Sequence, residues 1–177
     1  MSERLYLQTY LRDHYAAATG GLELARRIAR ENSANPIGHT MAEIAEAIED
    51  EVTLLRAILK ELEISPSRLK GAGVWMAEKM GRLKLNNEVV RYSHLSRLVE
   101  LEGALSGVQA KEALWRTLLL AREHHPELEK FDLEALLEQA GLQRRRLREL
   151  HHDAALIVLR KDRTHPHPEF DERPPAS

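Results

Sequence analysis

Leucine, isoleucine, valine and alanine recur every three or four positions along most of this chain, the spacing that lines up one face of an α-helix. The clearest run is Ser93 to Glu123, where Leu98, Leu101, Leu105, Val108, Trp115 and Leu119 form a single stripe. An earlier helix is predicted over about Glu3 to Asn32, with Leu7, Leu11, His14, Ala18, Gly21, Ala25 and Ile28 turned inward. Asn35 followed by Pro36 is a capping residue followed by the residue best suited to a first helical turn. They open a helix to about Glu63 whose stripe is Met41, Ile44, Ile48, Leu55, Ile58 and Leu62. Asp132 caps the last helix, which carries Leu133, Leu137, Ala140, Leu147, His151, Ala154 and Val158 to about Arg160. Strand-like alternation is absent.

The pattern changes between Ser65 and Tyr92. Ser65–Pro66 is another cap-and-start pair, and Val74, Trp75, Met76, Met80 and Leu83 make a short amphipathic helix. Gly71, Gly73, Gly81 and Asn86–Asn87 interrupt it. Segment 65–92 is expected to be a long connection packed along the others, not a hairpin loop. A short turn, a long connection and another short turn between four long helices give an all-α four-helix bundle over residues 1–160. Its crossover lies between helices 2 and 3. The remainder, 161–177, is charged, rich in proline and without apolar periodicity, so it is expected to be disordered. Gly20–Gly21 inside helix 1 costs helix stability, which suggests a close neighbour or a bend there.

Composition narrows the function classes. A net charge of −2 over 177 residues gives no basic field for nucleic acid. Cysteine is absent, which removes disulfides, zinc–thiolate sites and cysteine nucleophiles. No apolar run approaches the roughly 20 residues of a membrane span, and no signal-peptide pattern opens the chain. A soluble, cytoplasmic protein is expected. P-loop, nucleophile-elbow and dinucleotide glycine patterns are also missing.

The stripes carry residues that should not be there. Glu112 sits between Val108 and Trp115, Glu51 between Ile48 and Leu55, and Glu102 at the edge between Leu98 and Leu105. A carboxylate that cannot turn away from the core needs a cation, a histidine, a metal or water. If the crossover runs the length of the bundle, helices 2 and 3 descend while 1 and 4 ascend. His14, Glu51 and Glu112 then share a middle layer, and Glu102 and His151 an upper one.

The layout resembles the ferritin-like superfamily. The stretches Y-L-x-D-H-Y-A (Tyr10 to Ala16) and S-R-L-V-E-L-E-G (Ser96 to Gly103) also look like an uncharacterised group of bacterial ferritin-like proteins. That resemblance implies a ferritin-like bundle and raises the question of a di-metal centre, built from one glutamate on each of two helices and Glu-x-x-His on the other two. Here Glu-x-x-His occurs once, at Glu149–His152, and is expected to face water. A conventional di-iron centre is therefore not expected, and enzymatic activity is left open. Two readings of the inward residues stand side by side. In one they are satisfied core groups, with Glu51 or Glu112 meeting Arg56, Lys111 or another base, in a binding or structural protein. In the other, His14, Glu51 and Glu112 hold iron, manganese or zinc, with Glu102 and His151 as supporting groups or a second position, and oxidoreductase chemistry follows.

Partners are read from surface character. Self-association as a homodimer, or an unidentified protein partner, suits the bundle. The basic surplus of 65–92 (Arg68, Lys70, Lys79, Arg82, Lys84 and Arg91 against Glu78 and Glu88) would allow peripheral contact with an anionic membrane. Lysines snorkelling around an inward-turned Trp75 explain the same pattern and are preferred. The arginines 144, 145, 146 and 148 spread around their helix and read as a solvated face.

Overall fold

The computed structural model describes residues 3–65 and 92–161. Helix α1 spans Glu3–Glu31, α2 Pro36–Glu61, α3 His94–Ala121 and α4 Leu133–Lys161, with a 3-10 turn at Pro126–Lys130 before α4. No strand occurs among the described residues. The caps expected at Asn35 and Asp132 are found, and Ser93 adds a third. Asn35 Oδ1 accepts from the Ile37 amide at 3.0 Å, Ser93 Oγ from Ser96 at 3.0 Å, and Asp132 Oδ1 from Ala135 at 2.9 Å. Each satisfies an amide that the first helical turn leaves unpaired.

Cross-helix contacts fix the directions. Tyr10 reaches Thr117 and Arg27 reaches Glu100, so α1 and α3 are antiparallel. Arg146 meets Glu43 and Lys130 meets Glu61, so α2 and α4 are antiparallel as well. With the two hairpins, the order is up, down, down, up. Ser65 stands at the lower end, where its carbonyl accepts from Arg12 Nε at 2.8 Å. Tyr92 stands at the upper end beside Asn32. The 65–92 connection therefore begins and finishes at opposite ends of the bundle, as the stripes implied. The helix expected around Val74–Leu83 and the disordered tail both lie outside the described residues.

Two apolar clusters fill the interior. The lower one gathers Leu11, Leu55, Ile58, Leu59 and Leu118 around Trp115, which is 1% exposed. Its indole N–H has no hydrogen-bond partner among the described residues. The upper cluster packs Leu24, Ile28, Met41, Ile44, Leu101 and Leu147. α2 and α4 touch least of the four neighbouring pairs.

Helix 2 ends in a left-handed residue that is not glycine. Glu63 has φ 55°, while Ile64 N–H bonds Leu59 O at 2.8 Å and Glu63 N–H bonds Lys60 O at 3.0 Å. This pair of bonds is the Schellman ending, in which glycine is usual at the left-handed position. Of the two expectations at Gly20–Gly21, a close neighbour or a bend, the neighbour is not found at Gly21, where a Cβ would meet nothing within 4 Å. A close approach occurs at Gly38, where a Cβ would stand 2.2 Å from the Asn32 carbonyl oxygen. No described helix is long and apolar enough to cross a membrane.

Candidate functional site

Glu51 is held in the core by its position, three residues after Ile48 and four before Leu55. Only 5% of its side chain is exposed. Lys111 of α3, 13% exposed, donates from Nζ to Glu51 Oε2 and to Gln143 Oε1 of α4. Gln143 Nε2 in turn donates to Glu51 Oε1 at 3.2 Å. Three helices thus close a ring of hydrogen bonds that includes one buried ammonium. Burial raises the Glu51 pKa above the usual carboxylate range, with the Lys111 charge pulling the other way. Burial likewise lowers the Lys111 pKa against the pull of Glu51 and Glu112. Loss of water is the larger influence on both partners.

Glu112 is also buried, and its Oε2 lies 3.2 Å from Arg144 Nη1. Arg144 has its Nε buried without a hydrogen-bond partner among the described residues. His14 is half-buried and sets its ring edge-on against Tyr10, with centroids 4.4 Å apart. Burial lowers its pKa, opposed by Asp13. Arg56 does not serve a core carboxylate; it donates from Nε and Nη2 to the Tyr15 hydroxyl at 3.0 and 2.6 Å.

The five residues expected to form a site are therefore brought together only in part. Glu51 and Glu112 share one region through Lys111, each with its own cation, whereas the contact found for His14 is the Tyr10 ring. Glu102 and His151 do meet, Nε2 to Oε1 at 3.3 Å, but the Glu102 side chain is 55% exposed. Glu102 belongs to the rim because the residue before it, Leu101, takes the inward position. Among the described residues no group of three or more histidine, aspartate or glutamate side chains could hold a metal ion. Glu149 and His152 face water.

A second polar cluster, at the upper end, was not anticipated. Glu100 is 4% exposed, its Oε1 accepts from Arg27 Nε at 2.9 Å, and its Oε2 has no hydrogen-bond partner among the described residues. Burial raises its pKa despite Arg27. Asn32, 1% exposed, donates to the Ile28 carbonyl and to Tyr92 Oη, both at 2.8 Å, and accepts from Arg97. The Tyr92 hydroxyl is pushed up to about 12, first by burial. The signal for Glu100 was available. Leu118, Leu114, Lys111, Ala104 and Glu100 step back along α3 by four, three, seven and four, a second inward line beside the first. Gln143 escaped notice because Ala140 and Leu147 complete a stripe without it.

No protein-family profile, curated protein or solved structure matches the chain.

Proposed function

We propose that the chain is a ferritin-like four-helix bundle acting as a binding or structural protein, its interior carboxylates neutralised by its own lysine and arginine instead of a metal. The ring of Lys111 with Glu51 and Gln143 carries this proposal. Where a metal site would gather several carboxylates and imidazoles around an empty centre, an ammonium already stands between the donors. Glu112 takes a second cation, Arg144. The ferritin-like assignment is supported by the up, down, down, up order and by a long connection between the two descending helices.

Elemental analysis of protein purified without a His-tag tests the proposal. Iron, manganese and zinc should each be below about 0.1 per chain, and adding any of the three should move Tm by less than about 1 °C, as expected without preferential binding to the native state. Near-stoichiometric metal that disappears in Glu51→Ala would favour the metal-binding, oxidoreductase alternative.

A further inference from the structure

We propose that two copies of the chain associate antiparallel through the outer face of α3, around a twofold axis at Gln109. This rests on the binding role proposed above and names the partner as a second copy. Ser106, Gln109, Ala110 and Ala113 are all exposed on α3, and no charged residue is exposed between Glu102 and Arg116. The other helices differ: α2 exposes Glu43, Glu46, Glu49 and Asp50, and α4 exposes Arg145, Arg146, Arg148 and Glu149. In a chain with 31% charged residues, an uncharged outer stretch of this length is unusual for a helix facing water. Leu120, 76% exposed, lies one heptad beyond Ala113 on the same line.

Charge placement identifies the occupant. Glu102, Gln109 and Arg116 are seven residues apart and stack in one row down the helix. Each charge stands about 10 Å along the axis from Gln109, at 1.5 Å per residue. In a twofold contact, if residue i faces j then j faces i. An axis at Gln109 therefore sets Glu102 of each copy against Arg116 of the other, twice. A parallel pairing would oppose like charges at both places. Arg116 has no acidic partner among the described residues, and the contact of Glu102 with His151 occupies one carboxylate oxygen. Small side chains at Ser106, Ala110 and Ala113 let two such helices approach to about 8 Å. A single helix row of mostly small side chains buries little area, so the contact falls in the small-interface class and a weak dimer is expected.

Sedimentation equilibrium of the full, metal-free chain at about 100 µM should give a mass approaching twice that of the monomer, the regime for a small interface. Arg116→Glu should weaken the dimer about 10-fold or more, and Glu102→Arg combined with Arg116→Glu should restore it to within about 3-fold. These positions are exposed, so circular dichroism melts should coincide with wild type. Because the chain has no cysteine, Gln109→Cys supplies a single thiol on the axis. Mild oxidation should cross-link it efficiently, and should fail with Thr53→Cys on the outer face of α2. A monomeric chain, a dimer indifferent to Arg116→Glu, or equal cross-linking of the two cysteine variants would overturn the proposal. Metal found at Glu51 would overturn the role proposed above without changing these masses, so the two failures are distinguishable.

Discussion

Lys111 is the side chain on which the interior most depends. It is the cation bonded to Glu51 and the donor to Gln143 Oε1 within the ring. Lys111→Met removes the ammonium and leaves a buried carboxylate without its charge partner, a change worth about 3–5 kcal/mol. Adding Glu51→Gln should recover most of that loss, because an amide needs no cation. The pH dependence follows from linkage. A carboxyl whose pKa is raised on folding contributes stability that is present below the ordinary carboxylate range and is lost as pH rises through the raised value. Lys111 holds the Glu51 pKa down, so its removal raises that pKa further. The deficit of Lys111→Met should therefore be largest at neutral pH and shrink on acidification toward the raised Glu51 pKa. Urea titrations of wild type and variant at a series of pH values measure it, and a deficit that grows on acidification would contradict the assignment.

At the scale of elements, the end of α2 offers a gain. Glu63 occupies a left-handed conformation that L side chains adopt at a cost of about 1–2 kcal/mol, and its bond to Arg4 at 3.2 Å joins two well-exposed side chains and offsets little. Glu63→Gly should stabilise the fold by about 0.5–1 kcal/mol after the greater freedom of the unfolded glycine is counted. Thermal melts would show this as a Tm higher by about 2–4 °C per kcal/mol. The left-handed turn was invisible in the sequence because Glu63 continues the charged outer face of the helix and carries none of glycine's signature. Helix order, the caps at Asn35 and Asp132, and the direction of the crossover were legible, since each follows from periodicity or from one capping side chain. The pairing of Glu51 with Lys111 was legible only as one of several bases within reach. Periodicity gives a residue's height and face but not which long, flexible side chain reaches across the bundle. Glu102 was misplaced for a related reason: at the edge of a stripe, a turn of a few tens of degrees decides between core and water.

For the molecule as a whole, every adjacent pair of helices is antiparallel, so their dipoles oppose one another. The α2–α4 side is the least closely packed and is bridged by exposed pairs, Arg146–Glu43 and Lys130–Glu61, which contribute little individually. The buried ring supplies the interior link there, tying α2 to both α3 and α4. Trp115 lies in the lower cluster, sealed from water, its indole N–H without a hydrogen-bond partner among the described residues. The chain contains a second tryptophan, Trp75, so Trp75→Phe would leave Trp115 as its one tryptophan, read apart from the four tyrosines by selective excitation. Its emission should be strongly blue-shifted and barely quenched by iodide, because neither water nor the ion can reach the ring. Fluorescence would then report, without any attached dye, the moment at which the interior first admits solvent.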